Sequence, residues 1–213
     1  MQIEPTQRTR TSIVVVDDDA SVRQGLVRLL GSHGLAVSAF ASPELLLADI
    51  EALSPDCVVA DLAMPGLNGF DLQQMLSALE PDYPIIFVSG VGDIPASVQA
   101  MRGGAVDFLA KPVNKNALFD AIDRAVARSR NGRQVREWQA NACRNVNSLT
   151  KREREVFDLV VMGCLNKQIA ATLTISERTV KVHRSRVMQK MSVRSVAQLA
   201  RIAERLGIRS APL

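Results

Sequence analysis

Five polar residues stand where apolar runs end, and their types suit phosphoryl chemistry. Ile13-Val14-Val15-Val16 ends on Asp17 and Asp18, and Cys57-Val58-Val59-Ala60 ends on Asp61. Pro84 to Val88 ends on Ser89, and Ala105 to Leu109 leads to Lys111. Short apolar runs bounded by turn signals read as buried parallel strands. In an open α/β sheet, ligands bind at the carboxyl edge of the strands. Three carboxylates on one edge repel, and a close pair costs about 4 kcal/mol at 4 Å with an effective dielectric near 20. A hard dication with oxygen ligands relieves this, which points to Mg²⁺, with Mn²⁺ able to replace it. Asp17 and Asp18 are the expected metal residues together with Asp61, and Asp61 is the expected nucleophile. The Lys111 ammonium and the Ser89 hydroxyl would bind an incoming phosphoryl group, so that positioning and charge neutralisation carry the reaction. Singly, each residue has an ordinary reading: a turn-forming Asp, a turn Ser, a solvated Lys. Their joint placement at four strand ends is what carries the chemical one. Asp19 is read as starting the next helix.

The elements that must place these residues follow in order. Strands are expected at Ser12–Val16, Leu35–Phe40, Cys57–Ala60, Pro84–Val88 and Ala105–Leu109. Between them, Val22, Leu26, Leu29 and Leu30 have helical spacing, as do Phe70, Leu72, Met75, Leu76 and Leu79. Ser42-Pro43-Glu44 is a helix start, with a further helix over about Asp93–Arg102 and a last one through Leu118, Ile122, Ala125 and Val126. Strands alternating with helices predict a doubly wound, flavodoxin-like, five-stranded parallel sheet in order 2-1-3-4-5. Residues 1–11 read as a frayed tail. Residues 128–147, where Arg130-Asn131-Gly132-Arg133 looks like a break, read as a linker whose conformation stays open: partly helical, or a continuous helix through Gly132 at a cost of about 1 kcal/mol relative to Ala. Four short helices then predict a small all-α helix-turn-helix domain. Thr150 with Glu153 and Ser195 with Gln198 are capping boxes, and Asn166 and Ser176 are the other expected caps. The division is 12–127, 128–147 and 148–209.

The net charge of +4 over 213 residues conceals a split. Residues 1–126 hold 8 Lys/Arg and 16 Asp/Glu, and residues 127–213 hold 18 and 6. A basic segment of that size favours nucleic acid over a merely solvated surface. Ser176 to Met191 concentrates it: Arg178, Lys181, His183, Arg184, Arg186 and Lys190 stand against Glu177 alone. This is the expected recognition helix for a major groove. Arg178, Arg184 and Arg186 are read as phosphate contacts, with Lys167 and Thr179 adding to them. His183 is read as a packed residue. The stripe Val196, Leu199, Ile202, Ala203, Leu206 fits either core or a dimer surface. No apolar run approaches membrane-spanning length, the N-terminus lacks a signal peptide's apolar stretch, and Cys57, Cys143 and Cys164 have no C-x-x-C spacing. A cytoplasmic protein with reduced thiols and no membrane partner is expected.

VVVDDD, VVADLAMPGLNG, FVSGVGD and AVDFLAKP resemble the receiver domain of two-component response regulators. LTKREREVF, GCLNKQIA and ISERTVKVHRSRVMQKM resemble the LuxR-type DNA-binding domain. Together they are similar to the NarL/FixJ family, on its FixJ branch. The resemblance implies a sensor histidine kinase that phosphorylates Asp61, and a backbone carbonyl of Ala63 as a metal ligand. It implies that Ser89 and Phe108 form a switch pair, Ser89 moving toward the phosphoryl group as the Phe108 ring turns inward. It also implies that Lys181 and Val182 read bases, with Ser185 one turn on, where some members carry Lys. Promoter DNA, RNA polymerase and a second copy of the chain, paired on phosphorylation, are the other implied partners. Whether the receiver blocks the recognition helix or supplies the dimer face stays open.

No enzyme activity is expected. Haloacid-dehalogenase phosphatases share an Asp nucleophile with Mg²⁺, Ser and Lys, but need a second Asp two residues on, where this chain has Ala63. A DNA binder whose receiver is never phosphorylated is the other rival, and the complete acidic set argues against it. Ala63 and Val91 flank the site without a side-chain hydrogen bond for an attacking water, so a slowly hydrolysed aspartyl-phosphate is expected.

Overall fold

The computed structural model describes residues 10–79, 83–90 and 94–208. The expected positions Val91 and Asp93, the tail up to residue 9 and the domain end at 209 lie outside them. Contacts divide the chain into two compact units, residues 1–133 and 134–213.

The first unit is a five-stranded parallel sheet in order 2-1-3-4-5, as expected. Its strands are β1 (Ser12–Val16), β2 (Ala36–Phe40), β3 (Cys57–Ala60), β4 (Ile85–Ser89) and β5 (Asp107–Ala110). Its helices are α1 (Ala20–Gly31), α2 (Pro43–Leu53), α3 (Gly69–Ala78), α4 (Ile94–Arg102) and the start of α5 (Lys115–Asn147). Side chains alternate across a strand, so β1 feeds two cores. Val14 and Val16 join Leu46, Ile50, Leu72, Leu76 and Ala100 from α2, α3 and α4. Ile13 and Val15 join Leu26, Leu30, Leu118, Ile122 and Val126 from α1 and α5. Burial on both faces explains why the strands are unbroken apolar runs.

Helix α5 decides what the sequence left open in the linker: it runs unbroken for 33 residues, the continuous helix through Gly132. Tertiary contacts offset the cost of Gly132. Arg133 Nη2 bonds Asp56 Oδ1 at 3.0 Å, and Arg130 Nη2 bonds Thr11 Oγ1 at 3.2 Å. Ser129, Ala142 and Val146 are buried along the same helix. β5 begins two residues later than expected: Ala105 and Val106 lead in from the Gly103-Gly104 turn.

The second unit continues with α6 (Lys151–Val161), α7 (Asn166–Leu173), α8 (Glu177–Lys190) and α9 (Val196–Arg205) around a core of Val156, Phe157, Ile169, Val180, Val187 and Leu199. Thr150 and Glu153 form the expected capping box. Asn166 does not cap α7: Leu165 holds the cap position, and Asn166 is the first helical residue. Thr174 turns the chain in the left-handed region (φ 54°) between α7 and α8. In α9, Leu199 and Ala203 are buried and Ile202 and Leu206 pack on the core, leaving Val196 exposed.

Candidate functional site

The sheet carries the acidic residues just past its hydrogen-bonded ends. The Asp17 N–H donates to Phe40 O at 3.3 Å, Asp61 N–H to Val16 O at 2.8 Å and Lys111 N–H to Ser89 O at 2.9 Å. Each side chain therefore leaves the same edge at nearly the same height. Asp17, Asp18 and Asp61 offer carboxylate oxygens that all lie within 4.8 Å of one another. Asp17 and Asp61 are buried and Asp18 is exposed. Lys111 Nζ donates to Asp17 Oδ2 and to Asp61 Oδ2, each at 2.8 Å. Asp61 Oδ1 accepts from the Leu62 N–H at 2.6 Å and the Ala63 N–H at 3.4 Å. Asp17 Oδ1 accepts from the Asp19 N–H, while Asp19 caps α1 through Ser21 and Val22.

Burial lowers the Lys111 pKa, but hydrogen bonds to Asp17 and Asp61 and their charges outweigh it and hold the ammonium above its ordinary value. The pocket is thus an acidic triad spanned by one fixed cation. An all-oxygen donor set with excess negative charge fits Mg²⁺. Ser89 ends β4 fully buried, paired in register with Ala110. Phe108 sits half-buried on β5 opposite Phe87, ring centroids 6.5 Å apart. Ala63 is exposed in the loop after Asp61.

Sequence reasoning passed over Gly69. A Cβ there would lie 2.7 Å from the Asp61 backbone oxygen and 2.8 Å from the Phe87 ring. The signal was present in the motif: a glycine opening a helix where the loop folds back against the strand end.

The second candidate surface is α8. Ser176 Oγ caps it through the Thr179 N–H at 3.1 Å. Val180 and Val187 are buried, while Arg178, Lys181, Val182, Ser185 and Arg186 are exposed, and Thr179 is half-buried. Lys167 is exposed on α7. His183 is half-buried, and its Nδ1 is a buried ring nitrogen without a hydrogen-bond partner among the described residues. Lys190 Nζ turns back to Glu153 Oε2 at 2.7 Å and Ser148 O at 2.9 Å. Glu153 is 3% exposed. Its pKa falls to about 2, chiefly through the Lys190 hydrogen bond and then the Thr150 N–H.

Residues 13–123 match the response regulator receiver domain family, and residues 147–203 match the bacterial regulatory proteins of the luxR family. The chain is a NarL/FixJ-family response regulator. It is similar to nodulation protein W of Bradyrhizobium diazoefficiens, 44% identical over 200 residues covering 94% of this chain and 88% of that protein. The transcriptional regulatory protein FixJ of the same species is 38% identical, over 94% of this chain and 98% of the relative. The structure of the response regulator StyR superposes with a TM-score of 0.80 at 42% identity, over 92% of this chain and all of that one. The regulator therefore joins a receiver to a LuxR-type DNA-binding domain and acts in transcription within two-component signalling. That combination implies a sensor kinase and promoter DNA as partners, and Mg²⁺ at the acidic pocket. Among the described residues no helix is long and apolar enough to cross a membrane.

Proposed function

We propose that Asp61 accepts a phosphoryl group from a sensor histidine kinase and that this tunes promoter binding by α8. The observation carrying this reading is the Lys111 bridge, 2.8 Å from one oxygen each of Asp17 and Asp61. A cation so placed can hold the charge that develops on a transferring phosphoryl group. Asp17, Asp18, Asp61 and the Ala63 carbonyl would hold Mg²⁺, or Mn²⁺ in its place, and the ion supplies charge neutralisation. Asp61 supplies the attacking oxygen, the side chain being 10% exposed. Ser89 and Phe108 form the switch: the hydroxyl moves toward the phosphoryl group and the ring turns further into the space beside Phe87. The outcome shifts an existing equilibrium between closed and dimer-competent states.

The homodimer surface we assign to the receiver is the α4 stripe Ile94, Val98 and Met101, exposed at 79%, 42% and 48% and spaced to share one helix face. On DNA, Lys181, Val182 and Ser185 read bases, and Arg178, Arg186, Lys167 and Thr179 position the helix on phosphates. The functional division is a receiver over 12–127, a helical connector over 128–147 and the DNA-binding domain over 148–209. The setting is the cytoplasm, with RNA polymerase as the downstream partner. The protein turns over no phosphate ester, because Ala63 stands where a phosphatase needs a second acid.

Labelling with radioactive acetyl phosphate and Mg²⁺ tests the reading. The wild-type chain retains label and Asp61→Asn retains none. Equal labelling of both would sink it, and steady release of phosphate from an added ester would revive the phosphatase.

A further inference from the structure

Helix α8 holds five lysine and arginine side chains, and its helical phase separates them. Val180, Arg184, Val187 and Met191 are spaced four, three and four apart, so they share one face of the helix. Val180, Val187 and Met191 are buried in the domain core. Arg184 therefore stands on the inward stripe and is half-buried, whereas Arg178, Lys181 and Arg186 are exposed. A cation on an inward stripe needs a partner, and one is present. Arg184 Nη1 donates to Asn166 Oδ1 on α7 at 2.6 Å. The asparagine is free to accept because Leu165, not Asn166, occupies the α7 cap, where the Gln168 side chain satisfies the Leu165 N–H at 2.7 Å. Lys190 is likewise turned inward at the far end of α8, onto Glu153 and Ser148 O.

We propose that Arg184 is a positioning residue and not a phosphate contact: through Asn166 it locks α8 against α7 and sets how Lys181, Val182 and Ser185 meet base edges. The exposed cations of α8, Arg178, Lys181 and Arg186, are the ones that meet DNA directly. A phosphate contact strengthens binding to every sequence alike and steepens the salt dependence. A positioning residue acts on selectivity.

This rests on the DNA-binding reading, so the probes are duplexes. One is selected from a random pool by the full-length, acetyl-phosphate-treated wild-type chain, and the other is a scrambled control. Dissociation constants are measured over a range of salt for wild type, Arg184→Ala, Asn166→Ala, the double variant and Arg186→Ala. Arg184→Ala and Asn166→Ala are each expected to weaken selected-duplex binding about tenfold, in line with loss of one charge-assisted hydrogen bond. Scrambled-duplex binding stays within about twofold, the double variant is no worse than either single one, and the salt slope is unchanged. Arg186→Ala weakens both duplexes and lowers the slope by about 0.9. The proposal is overturned if Arg184→Ala weakens both duplexes equally with that same drop in slope while Asn166→Ala is silent. It is also overturned if neither variant alters the selected-to-scrambled ratio. Should Arg184→Ala fail to fold by thermal melting, Asn166→Asp against Asn166→Ala decides: retention of the ratio only where the acceptor is kept supports the brace, and equal loss overturns it. A wild-type chain that enriches no duplex fails the DNA-binding reading itself, a result distinct from these.

Discussion

Replacing Lys111 by Met removes a charge from the acidic pocket while keeping much of the side chain's volume. The ammonium sits 2.8 Å from both Asp17 and Asp61. Carboxylate oxygens within 4.8 Å of one another remain behind. At that separation a pair of unit charges repels by about 3.5 kcal/mol with an effective dielectric near 20. Water reaches the pocket, since the Lys111 side chain is 22% exposed and that of Asp61 10%, so part of this is screened. A net loss of about 2.5 kcal/mol is expected in EDTA, or about 8 °C in the receiver's melting temperature. Millimolar Mg²⁺ should recover more stability in Lys111→Met than it adds to wild type, because the variant has no internal cation opposing the repulsion. Calorimetry of the full chain with and without Mg²⁺ measures both quantities. A variant as stable as wild type in EDTA, or an identical Mg²⁺ increment in the two proteins, would refute the idea that Lys111 balances this pocket.

Three further outcomes are expected. Gly69→Ala forces a Cβ to 2.7 Å from the Asp61 backbone oxygen and 2.9 Å from the Leu62 Cα. It should cost about 1–3 kcal/mol and slow phosphoryl uptake by displacing the acceptor; unchanged denaturation and labelling rates would show that the loop yields freely. Glu153→Gln weakens the tie between α6 and Lys190, and should lower stability by about 2 kcal/mol at pH 7. Because the folded-state pKa of Glu153 is depressed to about 2, its contribution is present above the unfolded value near 4.5 and is lost as pH falls toward 2. The gap between variant and wild type must therefore close across that window in acid titrations. The aspartyl-phosphate should persist on the purified protein well beyond seconds, since Ala63 is exposed beside Asp61 with no polar side chain; loss of label within seconds would contradict this.

The sheet and its acidic edge were legible because their cause is local. A strand buried on both faces must be apolar throughout, so a carboxylate at its end marks where the ladder stops. Asp17, Asp61 and Lys111 came out together for that reason. The connector's conformation stayed open in the sequence for the opposite reason. Asn131 and Gly132 have weak helical preference, and the contacts that hold this stretch helical are remote in sequence: Arg133 bonds Asp56, 77 residues away, and Arg130 bonds Thr11, 119 residues away. Propensity is a weak prior beside such contacts. Asn166 was misplaced similarly. A lone Asn before a helix reads as a cap, and only the fold shows that its amide oxygen serves Arg184 on the next helix. In each case the decisive contact was made by a long arginine side chain reaching another element, and such reach leaves no periodic trace.

Two aspartates bracket the third strand, and the contrast between them is the strongest structural argument for where the chemistry lies. Asp56, before β3, accepts the Ser12 N–H on Oδ2 and the Arg133 guanidinium on Oδ1, each at 3.0 Å. Among the described residues its charge is met by a single cation and no second acid is grouped with it, and it ties β1 and α5 together at the amino edge. Among the described residues Asp61, after β3, shares its one ion-pair partner with Asp17, and Asp18 stands in the same cluster. Three acids against one lysine leave about two negative charges uncompensated at the carboxyl edge. Such an excess is unfavourable for folding alone, and it is the condition under which a dication, and then a phosphoryl group, has something to bind. A buried acid that is fully paired reads as architecture. One left in surplus beside two others reads as a site.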